Sequence, residues 1–518
     1  MNPTPHPVTI LDCTLRDGGY YTQWDFSEEL VNQYFESFNH LPVSYLEIGY
    51  RSQPLKPYFG KYFYCPEYVL RHAREASGKK LAIILNEKDF RAEQVPELLG
   101  PVRSYIDLVR MAVDPKNMDR AIVLARAVKE LGYEVAFNVM YMSTWKSLPG
   151  FMDGLHAVND VADYFYLVDS FGGVYPEDVA EMMELVKSQV TVPIGFHGHN
   201  NLELALVNTL TAIAHGASIV DATVTGMGRG AGNLKTELLL TALNARNGLH
   251  VDFNKLSGVV DAFEALQAQH GWGTNLPYMV SGANSLPQKD VMEWVSKRYY
   301  SFNSIIRALQ NQKEGIEDNQ RLPVFAPESG IKRAVIVGGG PSAQAHASAI
   351  KAWVQRNPGT CVIHSSSRNA GHYLDLDATQ YFALVGSEGH RLEALFNSFG
   401  AFNGTCILPP FPRKMGTYIP SIVEGRTFEL PSLSSEQMPS DSSTIIAIET
   451  ALALGAGQIF VAGYDGYSET KMGEKEQALF LENNQMFAAY RSRGVELKSV
   501  TPSKYDALEV QSLYSLLI

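Results

Sequence analysis

At 518 residues the chain exceeds one ordinary domain, so two or three are expected. Hydrophobic residues at 45% and charged residues at 19% exclude a disordered chain. A net charge of −12 with no Lys/Arg-rich run excludes nucleic acid and anionic membrane as expected partners. Cys13, Cys65, Cys361 and Cys406 form no C-x-x-C pair, so neither a disulfide framework nor a zinc knuckle is expected, and a reducing compartment fits. Met1 to Pro7 lacks a signal-peptide pattern, and no apolar run reaches membrane-spanning length. This reads as a soluble, cytoplasmic protein.

In chain order, short apolar runs predict strands at 8–11, 44–48, 80–85, 106–111, 134–139, 164–168, 192–196 and 218–222. Amphipathic stretches between them predict helices at 27–39, 66–76, 115–131, 176–188 and 201–215, several opening with Ser or with Pro near the first turn. In the last of these, Leu202, Leu206, Leu210 and Ile213 share a face. Eight strand–helix units in under about 250 residues predict a (β/α)8 barrel, with an open doubly wound sheet as the alternative. The domains expected are 1–250, the barrel with its site; 251–309, a helical extension packed on it; 310–330, a polar linker; and 331–518, a Rossmann-like α/β unit. That last unit is predicted from strands at 334–337, 361–364, 382–385, 405–408 and 458–461 and helices at 343–355, 391–397, 442–454 and 475–491, with 409–440 a long loop.

A barrel places its active site at the C-terminal strand ends. The chemically capable residues follow the apolar runs: Arg16 and Asp17; Glu47; Arg110; Asn138; Asp169 and Ser170; His197-Gly198-His199-Asn200; and the run Gly226-Met227-Gly228-Arg229-Gly230-Ala231-Gly232-Asn233. Alternate strand residues point to one face, so His197 and His199 can converge on one metal, although a pair of unrelated histidines has the same spacing. Asp17 comes from strand one, two places round a closed barrel from strand seven. Asp plus two His with open positions suits Mn2+, Mg2+ or Co2+, while Zn2+ favours a more closed site. Such an ion acts as a Lewis acid on a 2-oxo acid, and Arg16 can donate to the developing oxyanion. Arg16 can equally be half of a salt bridge to Glu47 or Asp12.

The motifs D-C-T-L-R-D-G-G, H-G-H-N-N and G-M-G-R-G-A-G-N resemble those of the DRE-TIM metallolyases (HMGL-like), nearest to 4-hydroxy-2-oxovalerate aldolase, over about residues 8–309. The resemblance implies Asp17, His197 and His199 as metal ligands, Asn233 as a further ligand, Arg16 as the enolate-stabilising group, and 168–172 as pocket wall. There is one departure. The aldolases place a base histidine three residues after the Asp ligand, and here Tyr20 stands there. The acetyl-CoA synthases carry Glu-Gln after R-D-G, and here Gly19-Tyr20 stands instead. An unperturbed phenol, with a pKa near about 10, is a poor base. Tyr20, Tyr21, Tyr278 or Glu47 is left as proton carrier, or as pocket wall.

In the second domain, Gly338-Gly339-Gly340-Pro341-Ser342 between strand and helix reads as a phosphate loop or as a tight turn. It lacks the dinucleotide and Walker patterns. With Ala462-Gly463-Tyr464-Asp465-Gly466 it weakly resembles sialyltransferase-like and flagellin-accessory domains, which implies a nucleotide or nucleotide-sugar site. The reading as a whole is a divalent-metal-dependent aldolase or lyase joining or splitting a pyruvate-like 2-oxo acid and an aldehyde, in a homo-oligomer, with a place in surface-polysaccharide sugar synthesis. The alternatives are an acyl-CoA-dependent Claisen enzyme and a nucleotide-sugar-binding or glycosyl-transfer protein.

Overall fold

The computed structural model describes residues 8–297, 302–316, 321–327, 330–386, 388–399, 402–413, 418–434, 441–467 and 474–518. The chain divides into two compact units, 1–292 and 293–518. Among the described residues no helix is long and apolar enough to cross a membrane.

The first unit is a closed barrel of eight parallel strands in chain order: β1 (Thr9–Asp12), β2 (Tyr45–Tyr50), β3 (Lys80–Asn86), β4 (Leu108–Val113), β5 (Glu134–Val139), β6 (Tyr164–Asp169), β7 (Ile194–Gly198) and β8 (Ile219–Ala222). Closure is made by β1 on β8, with Leu11 opposite Asp221. Alternation sorts each strand into two sets. Leu11, Cys13, Tyr45, Ala82, Leu108, Ala136, Tyr166, Val168 and Ile219 form one small cluster inside the barrel. The intervening residues, such as Ile10, Leu46, Val109, Phe137 and Leu167, join the large core between strands and helices. Two residues further along the inward set come Glu47, Arg110, Asn138, His197 and Asp221, all buried. The barrel interior therefore changes from apolar to charged toward the end where its active-site loops lie.

The helix predicted at 201–215 begins only at Ala205 and runs to Ala214. The residues before it are committed elsewhere: the Asn200 N–H donates to the Gly232 carbonyl at 2.9 Å, and Asn201 Nδ2 donates to the Tyr278 carbonyl at 2.8 Å. Its buried face is also not the leucine face. Ala205, Asn208, Thr209 and Ala212 are buried, while Leu206, Leu210 and Ile213 are only half-buried. Small residues let this helix sit close to β7 and leave the leucines beside it.

The second unit holds an eight-stranded parallel sheet in the order β13-β12-β11-β10-β9-β14-β15-β16, with β9 (Arg333–Val337), β10 (Thr360–His364), β11 (Gln380–Ala383), β12 (Thr405–Leu408), β13 (Thr427–Glu429), β14 (Gln458–Ala462), β15 (Leu497–Ser499) and β16 (Glu509–Val510). Within the expected 409–440 loop, Thr427–Glu429 pairs with β12 as a strand. The stretch 310–330 opens inside a helix, Phe302–Glu314, and Val324 bridges to Glu429. The chain builds outward from β9 and then returns to its other side at β14, so residues 338–342 leave the sheet at its switch point. There the glycines serve close packing. A Cβ on Gly340 would lie 1.9 Å from Asp465 Oδ2, and the Ser342 N–H faces that carboxylate at 3.4 Å. The Ser342 hydroxyl donates to Thr501 at 2.9 Å.

Candidate active site

Past β1 the chain makes one helical turn, Thr14–Asp17, which turns Arg16 and Asp17 over the barrel mouth. A second turn, Gly19–Thr22, follows directly. Gln23 and Trp24 both take positive φ (56° and 58°), which folds the Trp24 indole back under Gly19. Its Nε1 donates to the Arg16 carbonyl at 2.7 Å, and a Cβ on Gly19 would lie 2.1 Å from the ring. The second glycine of R-D-G-G is thus required by an indole, and that indole fixes the backbone of Arg16.

Asp17 Oδ2 accepts from Asn233 Nδ2 at 2.7 Å and lies 3.7 Å from His197 Nε2. The His197 and His199 rings are 4.9 Å apart. His199 Nδ1 lies 2.7 Å from the Asp169 carbonyl, which can only accept, so this nitrogen carries the proton. Burial, with His197 beside it, pushes the His199 pKa down to about 3, so the ring is neutral and Nε2 keeps its lone pair. Burial also lowers the His197 pKa, and its Nδ1 lies 2.8 Å from Asp221 Oδ2, the carboxylate–imidazole pairing that leaves Nε2 as donor to a metal. Asn233 Oδ1 is buried with no hydrogen-bond partner among the described residues. Two imidazole nitrogens, a carboxylate oxygen and an orphaned amide oxygen fit a divalent cation of the Mn2+, Mg2+ or Co2+ kind. Cys13, Asp17 and His197 bring three donor atoms within 4.8 Å of one another, while His199 stands just outside that group, its ring 4.9 Å from that of His197.

Behind these groups runs a buried chain of alternating charge. Arg16 contacts Asp17 through Nη1 and donates from Nε to Glu47 Oε2 at 2.7 Å. Arg110 Nη1 reaches the same oxygen at 3.0 Å, its Nη2 bonds Asp221, and its Nε donates to Asn138 at 3.1 Å. Asp221 returns to His197. Burial raises the Asp221 pKa, but Arg110 and His197 outweigh it and hold the carboxyl below its ordinary value. Glu47 thus meets two guanidiniums from inside the barrel. Arg110 and Asp221 tie the arginine half of the site to the histidine half. Sequence reading placed Arg110 at a strand end without a role and passed over Asp221, whose only signal was its position two residues after Ile219 on the inward face.

Tyr20 lies with its hydroxyl 3.4 Å from the Tyr50 hydroxyl, and the Arg229 guanidinium stacks over its ring at 5.4 Å. The Tyr21 hydroxyl donates to the Gly230 carbonyl at 3.0 Å, which ties the glycine-rich loop down. Tyr278 is buried in the helix Leu276–Ala283, and burial pushes its pKa up to about 12. Asp169 faces away from the barrel interior. Burial lifts its pKa to about 7 while its Oδ1 accepts from the Gly173 N–H at 3.2 Å, so it caps the turn after β6. Gly338, Gly339, Gly340 and Ser342 belong to the second unit and to its switch point.

The HMGL-like family model matches residues 7–262. The N-terminal domain of a candidate aldolase from Bacteroides vulgatus, known from its crystal structure, is 55% identical, covering 58% of this chain and 100% of that one, with a TM-score of 0.56. The chain belongs to the HMGL-like family. Among curated relatives in this family's range, an oxaloacetate decarboxylase of Mycobacterium tuberculosis (strain ATCC 25618 / H37Rv) is 26% identical over 328 residues, 61% of this chain and 94% of that protein. A 4-hydroxy-2-oxovalerate aldolase of Bacillus cereus (strain ATCC 10987 / NRS 248) is 30% identical over 263 residues, 49% of this chain and 75% of that protein. HMGL-like membership with such relatives makes the chain a metal-dependent carbon–carbon lyase in general terms.

Proposed function

We propose that the barrel catalyses aldol cleavage or formation between a pyruvate-like 2-oxo acid and an aldehyde. The observation that carries this is the placement of Asp17, His197 and Asn233 in contact at one barrel mouth beside Arg16, with the His199 ring 4.9 Å from that of His197 and each imidazole Nδ1 held by an acceptor. A divalent cation held by these four side chains would supply Lewis-acid polarisation of the 2-oxo acid. Arg16, fixed by Glu47 and Trp24, donates hydrogen bonds to the oxygen that gains charge as the enolate forms. The Tyr20 and Tyr50 hydroxyls carry the proton to or from the aldehyde oxygen. The buried mouth excludes water from the reactive carbanion.

A second reading is favoured by the phenols. Tyr21, Tyr50 and Tyr278 have raised pKa values, chiefly through burial, which suits them to donate protons rather than take them. Loss of CO2 from a 2-oxo diacid forms the same enolate with no base, and the decarboxylase relative supports it.

The test is product analysis on the Mn2+-loaded full chain. Pyruvate released from a 4-hydroxy-2-oxo acid with an equal yield of aldehyde supports the aldolase. Pyruvate from oxaloacetate alone supports the decarboxylase. Free thiol from an acyl-CoA, with neither of these, overturns both.

A further inference from the structure

Arg229 stands in the glycine-rich loop after β8, and nothing in the reaction above uses it. Its side chain is half-buried, yet among the described residues it makes no ion pair and no hydrogen bond; its one contact of note is the face of Tyr20. A guanidinium taken partly out of water normally has its donors satisfied. An arginine that served only to hold the loop would bond a carboxylate or backbone carbonyls, and the loop is already held without it. The Tyr21 hydroxyl binds the Gly230 carbonyl, the Gly232 N–H binds the Arg229 carbonyl at 3.1 Å, and the Asn200 N–H binds the Gly232 carbonyl at 2.9 Å.

Its position is at the reaction centre. Tyr20, whose ring Arg229 covers, follows Asp17 by three residues and bonds Tyr50. Arg16 is held by Glu47 and Asp17 beside the enolate oxygen it serves, so Arg229 is left for a different anion.

We propose that Arg229 is a specificity residue that binds an anionic group on the aldehyde half of the substrate, a proposal that rests on the aldolase reading. The aldehyde is then a carboxylate- or phosphate-bearing one. The guanidinium presents two donors to such a group, with Tyr20 fixing its plane. The anion lies on the part that keeps its charge throughout. A guanidinium paired to a carboxylate that must leave as CO2 would stabilise the ground state and slow the reaction.

The experiment compares kcat/KM of the Mn2+-loaded full chain for pyruvate addition to two matched pairs: butanal against 4-oxobutanoate, and glyceraldehyde against glyceraldehyde 3-phosphate. One charge-assisted contact predicts a preference for the charged member of about 10- to 100-fold, carried by KM, in the carboxylate or the phosphate pair. Arg229→Ala should collapse that ratio, and Arg229→Lys should recover part of it. Oxalate, which mimics the pyruvate enolate, is titrated calorimetrically into the same protein to separate the two levels of failure. Oxalate binding with ratios within threefold of unity in both pairs, or with a ratio that Arg229→Ala leaves intact, overturns the role of Arg229 alone. Absence of oxalate binding overturns the pyruvate reading beneath it, and the proposal with it.

Discussion

Replacing Arg110 by Met tests whether the buried charge chain holds the site together. Arg110 is 0% exposed and bonds Glu47, Asp221 and Asn138 at once. Met fills much of the same space but leaves two buried carboxylates short of a cation. Removing one partner of a buried pair costs about 3–5 kcal/mol, because the remaining charge stays buried and unpaired. Glu47 keeps Arg16 and Asp221 keeps His197, so the cost of a single pair applies rather than twice that. For a unit of 292 residues that lowers the first thermal transition by roughly 5–8 °C at pH 7.5. The sign of the pH effect follows. In the native chain Arg110 holds the Asp221 pKa below its ordinary value, so its stabilisation is present above the unfolded carboxyl pKa and lost only as pH falls through the lower folded value. Without Arg110 the Asp221 carboxyl titrates upward, so the deficit shrinks as pH falls to 5.5. Differential scanning calorimetry at both pH values reads this. A shift under 2 °C at pH 7.5, or one that does not change with pH, would refute the reasoning.

His199, with a folded pKa of about 3 against roughly 6.5 unfolded, is protonated first in the unfolded chain; metal-free stability is therefore full above about pH 6.5 and falls with acid, by about 2 kcal/mol from pH 7 to 5. Urea unfolding at the two pH values should show that loss, and His199→Gln should lack it; equal losses in both proteins would count against the neutral ring. Tyr20→His restores an imidazole three residues after Asp17 and should raise aldol-cleavage kcat by roughly 10- to 100-fold, with a new dependence on a group titrating near neutrality. An unchanged kcat would mean that Tyr20 does not border the reacting oxygen. Gly340→Ala brings a methyl within 1.9 Å of Asp465 Oδ2 and 2.5 Å of the Gly463 carbonyl, and should destabilise the second unit by about 1–3 kcal/mol while pyruvate chemistry persists. A wild-type melting curve for that variant would show that the loop is open there and has room for a ligand.

The barrel was legible because each strand is a run of buried apolar residues broken by turn-forming residues, and because parallel strands need helices between them. The short strands of the second sheet were not. Thr427–Glu429, Leu497–Ser499 and Glu509–Val510 have two or three residues each, with Lys498 and Glu509 among them, and only their neighbours in the sheet define them. The leucine face of Ala205–Ala214 misled because periodicity measures which side is apolar, whereas close approach to the barrel selects small residues. At the mouth, His197-Gly198-His199 and Arg16-Asp17 were visible as motifs after strands. Asp221 and Trp24 were not, and Arg110 was placed at its strand end without a role, since these roles depend on which way a strand residue faces and on a left-handed turn at Gln23–Trp24.

The most direct test of the account is a calorimetric titration of Mn2+ into the chelator-stripped full chain and into its His197→Ala/His199→Ala variant. One ion per chain is expected in the first and none at that site in the second, with pyruvate-forming activity following the ion. Full stoichiometric binding by the double variant would contradict it.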